Sequence, residues 1–246
     1  MEPPKLPITC GPYSFGPGFY YRSRMVTAAS TLSCMIFWQN ATVGGTDLTG
    51  PPAGVHEDIA VAERYRLPRR RSQALRARAL LRTALAETYG VSPAAWRLEA
   101  GPHGAPIAAV SAGIRCFVSL AHSRDVVACA FGESGPLGVD VEAVDTSRAI
   151  DGIARAAFGP GEQADVARGG AEEFYRIWTL REAYAKATGR GFAGLVDGID
   201  LPEDPARSGD CDRPGWRFAG WRLPCGYWLG FAGLLDRAVE ITVHPR

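Results

Sequence analysis

The sequence predicts an α+β chain with the marks of a duplication, and three observations carry that expectation. Short apolar runs closed by turn-forming residues recur at 34–43, 114–120, 125–132, 137–142, 216–223 and 227–235, which is strand patterning. Two longer stretches, 69–89 and 171–188, have helical periodicity and stop at Gly90 and Gly189. The run VVACAFG at 126–132 is echoed by YWLGFAG at 227–233, so that each could close one half of a repeated architecture.

Taken in order, the first strand at 34–43 leads into a Gly- and Pro-rich loop at 44–52. A helix at 57–66 is halted by Pro68, and the Ala-, Leu- and Arg-rich helix at 69–89 follows. A turn opens at Ser92 and Pro93, a short strand covers 96–99, and 101–106 turn again. Strands at 114–120 and 125–132 are joined by a loop that holds His122. After the strand at 137–142, helices at 148–158 and 161–168 flank Gly159 and Pro160 and lead to the helix at 171–188. Residues 191–199 read as a loop and short strand, 203–215 as an exposed polar turn. A boundary near 132–135 divides an N-terminal half, 31–133, from a C-terminal half, 134–246. Residues 1–30 read as a flexible extension, because the first 24 are rich in Pro, Gly and Tyr and lack periodicity.

The 246 residues are 46 % hydrophobic and 22 % charged with a net charge of +1, which suits a soluble globular chain. No global field points to nucleic acid or to a membrane surface. Locally, eight arginines (64, 66, 69, 70, 71, 76, 78 and 82) fall in 64–82 with no acid among them. The six cysteines form no C-x-x-C pair, so buried thiols in a reducing, cytoplasmic setting are expected. Arg22 and Arg24 before the apolar run 25–38 loosely imitate a signal peptide, but the basic pair lies over twenty residues in and the run contains Thr, Ser and Gln.

Two segments carry chemistry. On a strand at 137–142, Asp140 and Glu142 project from one side. On the helix at 171–188, Trp178, Glu182 and Lys186 fall four apart on one face. Singly, each pattern is commoner as a solvated strand end or a helical ion pair. Together, three carboxylates and a lysine are what a hard metal ion and a phosphate ester require. Arg71, Arg78 and Arg82 form a stripe on the arginine helix, with Arg70 as the competing register, and an arginine fork suits phosphate.

In these residues the chain resembles the 4′-phosphopantetheinyl transferases, in particular the two-domain, surfactin-synthetase-activating type. GVDVE at 138–142 is similar to the family's G-[IV]-D-[IV]-E, and WTLREAYAK at 178–186 to W-[ST]-x-K-E-[AS]-x-x-K. VSLAHS at 118–123 is similar to F-N-[IL]-S-H-S, and HGAPI at 103–107 to the G-K-P loop. The likeness spans roughly 55–235 and keeps the family's order. It implies two similar α/β halves with the active site between them. It implies a Mg²⁺-dependent transfer of phosphopantetheine from coenzyme A to a serine of an acyl- or peptidyl-carrier protein, with adenosine 3′,5′-bisphosphate released. Asp140, Glu142 and Glu182 would hold Mg²⁺, Glu182 being third ligand or general base. Lys186 would neutralise the departing phosphate, His122 would donate to a phosphate oxygen, and Arg70 and Arg78 would contact the 3′-phosphate of coenzyme A. A monomer serving secondary metabolism, without nucleic-acid or membrane partners, is the expectation.

The pattern is broken at Arg181 (usually Lys), Ala121 (usually Ser), Ala105 (usually Lys) and Ser119 (usually Asn). These departures predict an active enzyme with weakened or altered coenzyme A binding. The alternative is a non-catalytic coenzyme A or carrier-protein binding module on the same fold.

Overall fold

The structure, a computed structural model, describes residues 34–40, 56–100, 106–109, 113–199, 201, 209–210, 213–235 and 241–245. The expected extension, the loop at 44–52, Ala105, Cys10 and Cys211 lie outside them. The described elements are β1 (Cys34–Asn40), α1 (His56–Glu63), α2 (Pro68–Tyr89), β2 (Arg97–Ala100), β3 (Pro106–Ala109), β4 (Arg115–Ser123), β5 (Val126–Gly132), β6 (Leu137–Ala143), α3 (Ile150–Ala157), α4 (Pro160–Thr188), α5 (Phe192–Leu195), β7 (Gly209–Asp210), β8 (Trp216–Leu223), β9 (Tyr227–Leu234) and β10 (Ile241–Pro245). The mixture of helix and sheet agrees with the α+β expectation.

The strands form a six-stranded sheet, β10-β1-β5-β4-β3-β2, and a four-stranded sheet, β6-β9-β8-β7. In β1-β5-β4-β3 and in β6-β9-β8-β7, the opening strand lies beside the last one and the order then steps back through the chain. Alternate residues of β5 divide the first sheet's two faces. Val126, Ala128 and Ala130 meet β6, β8 and β9 in a core between the sheets. Val127, Cys129 and Phe131 meet Ala77, Leu81, Ala84 and Leu85 of α2. The second sheet is covered by α4, where Leu180, Ala183 and Tyr184 pack with Phe218 and Ala232.

The long helices begin and end on local signals. Proline at the first turn opens each without removing a needed donor, and left-handed Gly90 and Gly189 close them. In α4 the Glu162 carboxylate accepts from the Gly159 amide at 2.9 Å, the return bond of a capping box. The two helices expected at 161–168 and 171–188 are one element bent at Gly170, whose φ of 62° and ψ of −143° suit glycine.

Four further expectations change. β4 runs on to Ser123, so His122 is a strand residue, and the turn is Arg124 and Asp125 with Arg124 at φ 46°. Residues 192–195 form a helical turn rather than loop and strand, because Gly194 lets it close onto Ala185 of α4. β3 begins where only a turn was expected. β10 crosses back from the C-terminal residues to pair in parallel with β1. Among the described residues no helix is long and apolar enough to cross a membrane.

Candidate active site

The site begins with two glycines. A Cβ on Gly138 of β6 would stand 1.9 Å from the carbonyl oxygen of Ala183, and one on Gly230 of β9 would stand 2.5 Å from the carbonyl carbon of Thr179. Both strands therefore receive the backbone of α4 directly, with no side chain between. Asp140 follows Gly138 on the same face of β6, so the close approach places it under Glu182 and Lys186.

Lys186 Nζ donates to Asp140 Oδ1 at 2.7 Å and to the Val139 carbonyl at 3.0 Å. It also reaches the Leu120 carbonyl of β4 at 3.5 Å. Among the described residues β3 pairs with β4 only as far as Phe117, and the Leu120 carbonyl is within reach of Lys186 instead. Asp140 is buried, and among the described residues its Oδ2 has no hydrogen-bond partner. Burial raises its pKa, against the pull of Lys186. Glu142 is half-buried and also raised, by burial and then by Asp140, while Ser123 Oγ donates to its Oε2 at 2.7 Å. Burial and the neighbouring Asp140 push the Glu182 carboxyl up to about 7.

This donor set fits a hard divalent cation. A buried carboxylate oxygen without a partner is costly, and mutually repelling carboxylates are relieved by a positive ion. As they stand, no three His, Cys, Asp or Glu side chains among the described residues are gathered closely enough to hold a metal.

Glu182 and Lys186 open onto a cleft of about 390 Å³ whose other wall includes Tyr65, Arg78 and His122. Arg70 Nη1 lies 3.4 Å from His122 Nδ1. A guanidinium only donates, so Nδ1 accepts and Nε2 keeps the proton. Burial, then Arg70, lowers the His122 pKa and keeps the ring neutral. Arg78 lies 3.7 Å from Asp58. Arg78, His122, Glu182 and Lys186 thus border one cleft, Arg70 and Asp140 contact the lining residues His122 and Lys186, and Glu142 is bonded to Ser123 beside His122.

The arginine stripe is corrected. Arg82 is buried, bonded to both Asp58 oxygens at 2.6 and 3.2 Å and to the carbonyls of Pro93 and Trp96. Arg71 is occupied by the Tyr65 carbonyl at 2.7 Å. Arg181, which stands where the family usually has Lys, is also structural: it grips Glu162 and the carbonyls of Leu195 and Asp197. Ala121 lies in the core between the sheets, so its missing hydroxyl leaves no gap in the cleft wall. Trp178 stacks on Phe174 of the same helix, with ring centroids 5.8 Å apart, and meets Phe158 ahead of α4 at 6.4 Å. Sequence reasoning missed Asp58, Glu162 and Ser123. Only Glu162 had a local signal, its place three residues after the cap.

The family model of the 4′-phosphopantetheinyl transferase superfamily matches residues 136–224. The 4′-phosphopantetheinyl transferase HetI of Nostoc sp. is 30 % identical over 162 residues, 61 % of this chain and 67 % of that one. The chain belongs to the 4′-phosphopantetheinyl transferase superfamily. It is, accordingly, an enzyme. The 4′-phosphopantetheinyl transferase of Bacillus subtilis is 29 % identical over 126 residues, 50 % of this chain and 54 % of that one. AcpT of Salmonella typhimurium is 34 % identical over 104 residues, 41 % and 53 %. The superfamily match contains β6 and α4, and with them Asp140, Glu142, Glu182 and Lys186.

Proposed function

We propose that the chain transfers 4′-phosphopantetheine from coenzyme A to a serine of an acyl- or peptidyl-carrier protein, releasing adenosine 3′,5′-bisphosphate. The observation that carries this is the contact of Lys186 with buried Asp140 beside Glu182, at a cleft lined by α2, β4 and α4. The chain is of the two-domain, surfactin-synthetase-activating type and acts as a monomer. Its halves, 31–133 and 134–246, are a duplication, a reading supported by the matching strand orders of the two sheets.

Asp140, Glu142 and Glu182 would hold Mg²⁺, which when bound supplies positive charge against the pyrophosphate oxygens. Glu182 accepts the proton of the carrier serine, whose oxygen forms a bond to the phosphorus carrying pantetheine. Without a cation, burial and Asp140 hold the Glu182 carboxyl up at about 7, and a cation bound beside it would lower that value and keep the base ionised. As the bond from that phosphorus to the nucleotide's phosphate oxygen breaks, Lys186 meets the charge on the departing group. His122 offers its Nε2–H to a phosphate oxygen. Arg70 and Arg78 take the 3′-phosphate, since a planar fork can bond two oxygens at once.

The test is intact-protein mass spectrometry of apo acyl- and peptidyl-carrier proteins incubated with this protein, coenzyme A and Mg²⁺. A metal-dependent mass gain of one phosphopantetheine on a carrier is expected. No gain on any carrier, with coenzyme A still bound, would contradict the reading.

A further inference from the structure

We propose that Ser123 is a positioning residue that reaches from the first half to orient Glu142 for the cation, an inference that rests on the metal reading above. Its hydroxyl has a defined direction. The Ala143 amide donates to Ser123 Oγ at 3.3 Å, and Ser123 Oγ donates onward to Glu142 Oε2 at 2.7 Å. A hydroxyl engaged as acceptor by a fixed amide has its proton turned to the remaining partner, and the chain of two bonds is mutually strengthened. Glu142 Oε2 is thereby held, and Oε1 remains for the cation.

Ser123 is itself fixed from two sides. It ends β4 immediately before the Arg124–Asp125 turn. On the α2 side, Gln73 donates to the Arg124 carbonyl at 2.7 Å and Arg76 to the Asp125 carbonyl at 3.0 Å. On the second-half side, Arg124 pairs with Asp145 at 2.7 Å, and the Asp125 amide lies 3.5 Å from the Tyr227 hydroxyl. The hairpin tip is a rigid mount braced against both halves, and the serine at its base is the group that touches a carboxylate of the site. Partners of this kind fix the direction of a metal ligand and are worth about 10- to 100-fold in metal affinity.

The plainer role is already present in the same strand. Ser119, on the same face of β4, accepts from the Val139 amide at 3.1 Å and so caps the edge of β6. Among the described residues no hydrogen bond joins it to a carboxylate. If Ser123 only did the same, the two serines would be interchangeable in their effects.

The experiment titrates Mn²⁺, a spectroscopic stand-in for Mg²⁺, into the protein without coenzyme A and reads free metal by electron paramagnetic resonance. Thermal melting is measured in parallel. Ser123→Ala should weaken Mn²⁺ binding by about tenfold or more. Ser123→Thr, which keeps the hydroxyl, should recover most of that loss. Ser119→Ala should lower the melting temperature by a similar amount yet change the Mn²⁺ dissociation constant by less than about twofold. The proposal is overturned if Ser123→Ala binds Mn²⁺ like the wild type, if Ser123→Thr fails to recover affinity, or if Ser119→Ala weakens binding as much. Asp140→Ala separates the two readings. Wild-type protein that binds no better than Asp140→Ala overturns the metal site itself, whereas strong wild-type binding unchanged in Ser123→Ala overturns only the positioning role.

Discussion

α2 and α4 are both long helices laid on the outside of a sheet, and each carries one arginine that is buried and one cation that faces the cleft. In α2 the buried residue is Arg82, locked on Asp58, and Arg78 one turn earlier lines the cleft. In α4 it is Arg181, locked on Glu162, and Lys186 lines the cleft. The difference lies in how the helices meet their sheets. α2 stands off on Ala77, Leu81, Ala84 and Leu85, whereas α4 rests on bare glycine at Gly138 and Gly230. The closer helix reaches strand β6 with its functional groups and makes the ionic floor of the site. The more distant one supplies a wall. A charge on a helix thus takes its role from its partner and its depth, not from its place in a stripe.

Removing the buried arginine of α2 separates its role from that of Arg78. Arg82→Ala leaves Asp58 buried without its main partner and should cost about 3–5 kcal/mol of stability in urea denaturation, with KM for coenzyme A unchanged. Should KM rise while stability holds, Arg82 is a ligand contact after all. Next in size, Gly138→Ala drives a methyl into the Ala183 carbonyl and should cost on the order of 3 kcal/mol, because backbone must move. A stable, active Gly138→Ala would mean that α4 does not sit as close as described. Arg181→Lys loses the fork that spans Glu162 and two carbonyls, and about 1–3 kcal/mol with it, while coenzyme A affinity is kept. Calorimetric titration with coenzyme A checks the second half of that statement. The smallest effect on stability, under about 1 kcal/mol, belongs to Arg78→Ala, whose signature is instead a KM for coenzyme A raised about tenfold or more.

Much of this was legible in the sequence, and the reasons for the rest are physical. The long helices and the main strands announced themselves because their periodicity persists over many residues and their ends carry Pro and Gly. α5, β3 and β10 are four or five residues long, too short for a period to stand out. The hairpin after β4 has no glycine or asparagine at its turn, since Arg124 itself takes the left-handed conformation, and so the sequence shows no tight turn that would put His122 in a strand. Asp140, Glu142, Glu182 and Lys186 were readable because strand and helix spacing alone puts each pair on one face. Their partners were not. That Ser123 meets Glu142, or that Arg82 meets Asp58, is decided by how separate elements pack, which no local pattern encodes.

On the proposed mechanism, buried Asp140, beneath Lys186 and beside Glu182, serves the chemistry rather than the fold. The direct test is single-turnover transfer to an apo carrier protein by Asp140→Ala, alongside its circular dichroism spectrum and melting curve. A native spectrum and cooperative melting with transfer reduced by more than about a hundredfold is the expected result. Near-normal transfer by the folded variant would contradict the account.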